Sequence, residues 1–124
     1  MDLLYDIEDC IEKLVTNIKD FCDDDRDIYI YGNGVIGHWL ENILLVHDIQ
    51  MQGFLISVNS SPNDRVYNIY EVVEKYKGKK NKLCIIVAMN ETNEGEIKGI
   101  LSSLEIGNFI SVGNYYKAIK TGRF

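Results

Sequence analysis

The chain has 124 residues, of which 46% are hydrophobic and 26% charged, which bounds it to one ordinary globular domain with a core of its own. Its net charge of −6 is placed unevenly: residues 1–27 hold ten acids and three bases, giving −7, and residues 28–124 hold nine acids and ten bases, giving +1. Neither part has the basic face that a nucleic-acid backbone requires, and no apolar run reaches the ~18–20 residues of a membrane span, so neither nucleic acid nor a span is expected.

The first element is an amphipathic helix. Leu3, Leu4, Ile7, Ile11, Leu14, Val15, Ile18 and Phe21 recur at spacings of three and four, with Asp6, Glu8, Asp9, Glu12, Lys13 and Asp20 on the other face. Residues 1–24 are therefore expected to pack on or beside a domain formed by residues 25–124; the alternative is a homodimer through this stripe. The following run, Asp23-Asp24-Asp25 and then Asp27, lacks the spaced oxygen ligands and glycine of a calcium loop and reads as a solvated link.

The period then changes. Ile28-Tyr29-Ile30-Tyr31 is a short β-branched and aromatic run ending at glycine, as a first strand should. Residues 38–47 read as a helix, 52–58 as a second strand, and Val66-Tyr67 as a brief third. Glu71 to Tyr76 reads as a helix, and Leu83–Met89 is the most continuous apolar run, as expected of a strand buried on both faces. Thr92 or Asn93 is expected to cap a helix that stops near Gly107. Phe109–Val112 is the last strand, and Gly113–Phe124 reads as a terminal helix or a linker.

Strands alternating with helices predict an α/β, three-layer Rossmann-like fold with a parallel sheet of four or five strands. With right-handed crossovers the expected order is 3-2-1-4-5, which puts the ligand crevice at the carboxyl ends of strands one and four.

Gly32, Gly34 and Gly37 satisfy GxGxxG directly after a strand and before a helix. The chemistry follows from the spacing. The first glycine permits the tight turn, the second lets a phosphate approach the backbone, and the third lets helix and strand pack closely. The helix N-terminus adds free N–H groups and the positive end of its dipole. Gly32, Asn33, Gly34, Val35, Ile36 and Gly37 are therefore the candidate binding turn. Ser57 and Asn59 at the end of strand two, and Asn90 just past strand four, are the other candidates.

One part of a dinucleotide site is missing. Residues 49–63 contain no acid to hold the ribose hydroxyls, which argues against NAD or NADP. No Gly-Lys-Ser/Thr follows the turn, which excludes a Walker A loop. His38, in the first helix after the turn, is a weaker candidate for an anion donor. No Ser/His/Asp set, carboxylate pair or metal cluster is legible, so no catalytic residue and no metal ligand is assigned. The cofactor stays unknown. Cys10, Cys22 and Cys84 are odd in number without CxxC spacing and read as buried thiols. The first six residues lack a cationic region, so no signal peptide is read there and a cytoplasmic protein is expected.

The segments IYIYGNGVIGHWLENILL, IQMQGFLISVNSS, RVYNIYEVVEKY and KLCIIVAMNETNEGEIKGILSSLEIGNFISV resemble the Rossmann-like modules of bacterial surface-polysaccharide enzymes. These include the N-terminal domain of sialic-acid-type sugar acyltransferases and modules attached to glycosyltransferases and FkbM-type methyltransferases; CoA-binding domains are more distantly similar. The resemblance covers residues 28–112, and its sharp motif is the glycine turn. It implies binding of a nucleotide-sugar, with Gly32, Gly34, Gly37 and Ser57 lining the site. The β-helix that carries acyl transfer in the acyltransferases has no counterpart here, so catalysis is not carried over. The expectation is a non-catalytic nucleotide or nucleotide-sugar binding domain, part of or partner to a sugar, methyl or acyl transferase. The alternative is a degenerate Rossmann domain acting as an interaction or oligomerisation module.

Overall fold

A computed structural model describes residues 3–23, 26–57 and 65–121. The elements are α1 (Leu3–Phe21), β1 (Asp27–Tyr31), α2 (Val35–Val46), β2 (Gly53–Ile56), β3 (Val66–Asn68), α3 (Ile69–Lys75), β4 (Leu83–Val87), α4 (Glu91–Ser103), β5 (Phe109–Ser111) and α5 (Gly113–Thr121). A single 3-10 turn, Lys80–Lys82, leads into β4. All neighbouring strands are parallel, in the order β3-β2-β1-β4-β5. This is the Rossmann-like α/β architecture with an N-terminal helix that the alternation of elements predicts.

The period-two alternation of each strand divides the core into two layers. Ile28, Ile30, Cys84, Ile86 and Phe54 face the side covered by α1 and α2, where Leu14, Val15, Ile18, Leu40 and Leu44 are buried. Tyr29, Tyr31, Ile85, Val87 and Leu55 face α3 and α4, where Ile69, Val72, Ile97 and Leu101 are buried. The middle of the α1 stripe is thus taken up by the chain's own sheet. Among the described residues no helix is long and apolar enough to cross a membrane.

Element boundaries shift for identifiable reasons. α2 begins at Val35, because Gly34 in extended conformation serves as its cap without a side-chain bond. Asn68 caps α3 by accepting from Tyr70 N at 2.9 Å, which starts that helix earlier than its apolar pattern does. Asn90, not Thr92 or Asn93, caps α4, its side chain accepting from Asn93 N at 3.1 Å.

The cysteine expectation needs correction. Cys22 and Cys84 form a disulfide across 62 residues, and Cys10 alone is free. The cause is tertiary: the end of α1 crosses β4 within one core layer, with the two Cα atoms 6.0 Å apart. Spacing along the chain carries no trace of that approach. Asp27, from the acidic run, accepts a hydrogen bond from the Tyr76 hydroxyl. Burial first, and that bond next, push the Tyr76 phenol well above its ordinary value.

Candidate functional site

The glycine turn sits where β1 ends. Gly32 N donates to Leu55 O at 3.0 Å, and Ala88 N donates to Tyr31 O at 3.0 Å, so the ladder runs to the edge of the turn on both sides. Gly32 has φ +116°, and a Cβ there would stand 2.8 Å from the Ala88 carbonyl oxygen. Only glycine meets both conditions. A Cβ on Gly37 would overlap the Gly32 carbonyl oxygen and approach Phe54 Cε1 at 3.4 Å, so this position lets α2 lie on the sheet. Gly34 differs. A Cβ there would have nothing within 4 Å, so its backbone opens onto free space.

That space is a cleft of about 680 Å³ at the carboxyl ends of β1 and β4. Gly32, Asn33, Gly34, Val35 and Ile36 form one part of its lining, and Ala88, Met89, Asn90 and Asn93 another. The rest comes from α5, chiefly Tyr116, Lys117 and Lys120. The first turn of α2 contributes N–H groups with no intrahelical partner and the positive end of the helix dipole. Asn90 spends its side-chain oxygen on the α4 cap, which turns a residue read as a ligand contact into one that also fixes the helix beside the cleft.

The lining is chemically one-sided. Among the described residues its charged side chains are Lys117 and Lys120, with no carboxylate, histidine or cysteine. Glu94, one residue beyond Asn93, is held by Lys98 at 2.9 Å. That bond, helped by the Ser111 hydroxyl beside it, keeps the Glu94 carboxyl below its ordinary value in spite of partial burial.

The sequence candidates divide. Gly32, Asn33, Gly34, Val35, Ile36 and Asn90 come together in the cleft, whereas Gly37 acts behind it in helix packing. Ser57 lies outside the lining, beside the Tyr31 hydroxyl. That hydroxyl is buried among the residues under α3 and α4 with no hydrogen bond of ordinary geometry among the described residues. Asn59 lies outside the described residues. His38 also stands away from the cleft, its ring 4.8 Å from that of Phe54 and its Nδ1 3.6 Å from Glu41. Sequence reasoning missed Tyr116, Lys117 and Lys120; their helical spacing in the C-terminal segment was the available signal. Comparison with models of protein families, with curated proteins and with solved structures returned no match.

Proposed function

We propose that the chain is a non-catalytic binding module for a small phosphate-bearing ligand, a nucleotide or nucleotide-sugar. The observation that carries this reading is a cleft whose described charges are two lysines and no acid, in a chain of net charge −6. An anion there meets the lysines and the uncapped N–H groups of α2 together. The volume of about 680 Å³ lies within the ~300–1,000 Å³ typical of small-ligand sites. Amides, lysines, a tyrosine and a threonine supply binding groups but no nucleophile with its base, which supports binding without chemistry. The absence of an acid in residues 49–63 argues against NAD or NADP as the partner.

The biological setting follows from the resemblance alone: a bacterial module of polysaccharide or glycan modification, working within or beside a transferase. The test is a thermal-shift and calorimetric panel of UDP-sugars, CoA, NAD and S-adenosylmethionine on the full chain. Stabilisation by at least one phosphate-bearing member is expected. No stabilisation by any of them overturns the reading.

A second reading, an interaction module, has one observation in its favour. Leu45 and Val46, at the end of α2, are 66% and 80% exposed, whereas Leu14, Val15 and Ile18 of the α1 stripe, through which a homodimer was the alternative expectation, are buried within the chain. Sedimentation of wild type against the Leu45→Asp, Val46→Asp variant separates the two readings: a wild-type oligomer that the variant dissolves favours interaction.

A further inference from the structure

The C-terminal segment reads in sequence as a terminal helix or a linker, and the structure makes it a wall. Gly113, Tyr116, Lys117, Lys120 and Thr121 recur along α5 at helical spacing, and all five line the cleft. The helix is anchored from other directions. Tyr115 packs against the core layer that holds Val112 and takes a hydrogen bond from the Asn17 side chain of α1. Trp39 of α2 meets the Tyr116 ring edge-on, with centroids 5.2 Å apart and planes at 72°. At its start, a Cβ on Gly113 would overlap the Met89 carbonyl oxygen, so α5 begins directly against the end of the β4 segment.

Lys120 is the side chain without an answer. Its ammonium lies 3.3 Å from the Tyr116 hydroxyl and 5.5 Å from that ring's centroid. Both contacts are to a neutral group on the same helix. The lysines and arginine that meet carboxylates within the described residues are Lys13, Arg65, Lys80 and Lys98, and Lys120 is not among them. In a chain with 19 acids, a cleft-lining ammonium kept from every described carboxylate is available to an anion from outside.

We propose that the cleft is a two-point site for a diphosphate. This rests on the reading that the cleft binds a phosphate-bearing ligand, and it names the class. One phosphate lies on the β1–α2 turn, where backbone N–H groups receive it. The second, linked to the first, lies on α5, where Lys120 and Lys117 provide the counter-charge. A monophosphate on the turn does not reach Lys120, so affinity depends on the second phosphate and on α5 together. Ammonium–phosphate hydrogen bonds are charge-assisted and among the stronger polar contacts, so the expected preference is large enough to measure.

The experiment is calorimetric titration of the full chain with UMP, AMP, UDP and ADP at one fixed low salt concentration. Wild type is expected to bind at least one diphosphate roughly tenfold or more tightly than its monophosphate. The Lys117→Gln, Lys120→Gln variant is expected to lose about tenfold in diphosphate affinity while its monophosphate affinity stays within about twofold. Both side chains are exposed, so the variant folds, and an unchanged melting temperature checks this. Equal binding of mono- and diphosphates, or equal weakening of both by the variant, overturns the two-point site and leaves the proposed function standing. Silence from all four nucleotides overturns it whatever the wider ligand panel gives. Silence from that panel as well overturns the proposed function itself.

Discussion

The two ends of the sheet hold cavities of nearly equal size, about 680 Å³ at the carboxyl ends and about 740 Å³ at the amino ends. Their walls are of opposite kinds. The amino-end cavity is lined by Lys19 and Arg26 together with Asp23, Asp27 and Asp48, so charges of both signs face one another. Arg26 donates to Phe21 O at 2.7 Å and to Asn81 O at 2.8 Å, and Tyr76 donates to Asp27. Cys22, in the same wall, is tied to Cys84. At the carboxyl end the turn carries no side-chain cap, and the lining charges among the described residues are of one sign. Volume does not distinguish the two clefts; what does is whether the chain answers its own polar groups. At the amino end Arg26, Asp27 and Cys22 are engaged by internal bonds, whereas Lys120 at the carboxyl end meets no described carboxylate.

The largest test of that contrast is Cys22→Ala. Removing a crosslink between residues 62 apart is expected to cost about 4 kcal/mol under oxidising conditions, by loss of its constraint on the unfolded chain. Urea denaturation measures it, and the difference from wild type should vanish once a thiol reductant is present. Nucleotide affinity should stay within about twofold, because the disulfide lies at the other end of the sheet. Loss of binding with the crosslink would show that the two ends are not separable.

Next in size is a pair of glycine substitutions within the turn itself. Gly37→Val forces a branched side chain against the Gly32 carbonyl and the Phe54 ring, and an overpacked contact of this kind costs about 3 kcal/mol. Gly34→Ala meets open space and should change stability by no more than about 1 kcal/mol, the difference between glycine and alanine as a helix cap. Denaturation curves together with ligand titration sharpen the division of labour. Gly37 should register in stability, and Gly34 in binding, where its new methyl group enters the space a phosphate would use.

The fold was legible because it rests on repeating local signals. Ile28–Tyr31 and Leu83–Met89 are apolar on both faces, since both strands lie inside the sheet, and helices separate β1 from β2, β3 from β4 and β4 from β5. The turn was legible because Gly32 takes a positive φ directly after the strand and Gly37 lies against the Gly32 carbonyl five residues before it, although the clash with Ala88 that also reserves Gly32 for glycine is tertiary. What escaped was tertiary. Nothing local marks Cys22 as the partner of Cys84, or the helix after Gly113 as part of the cleft, because each depends on which elements cross in space. Asn90 lines the cleft and also caps α4, and the cap went unread because an asparagine that caps a helix and one placed to contact a ligand look alike in sequence.

A smaller effect is expected from Tyr76→Phe at the closed end. It deletes the donor to Asp27 and leaves a half-buried carboxylate short of one bond, at a cost of about 1.5 kcal/mol at neutral pH. The pH dependence has a definite sign. The Tyr76 phenol is raised in the folded state, so its contribution is complete below the ordinary tyrosine value of 10.0 and is lost as pH rises above it. Stability measured from pH 8 to 11 should therefore fall more steeply in wild type than in the variant.

The smallest effect belongs to Glu94→Gln, and it probes why the described lining of the open end has no acid. Glu94 sits in the first turn of α4 beside the cleft-lining Asn93, and its pairing with Lys98 and closeness to Ser111 engage it away from the lining residues. The Glu94 side chain is 13% exposed but Lys98 is 52% exposed, so the pair is solvent-screened and contributes less than about 1 kcal/mol. Because the Glu94 carboxyl is lowered in the folded state, its contribution is present above the ordinary value of 4.5 and disappears as pH falls through the folded value. The variant should be slightly less stable than wild type at pH 7 and indistinguishable from it in strong acid. Its nucleotide affinity should not change, since the carboxylate already spends its charge on Lys98. A gain in affinity on substitution would mean that Glu94 does reach into the cleft field, and the one-sided charge of the open end would then be weaker than its lining suggests.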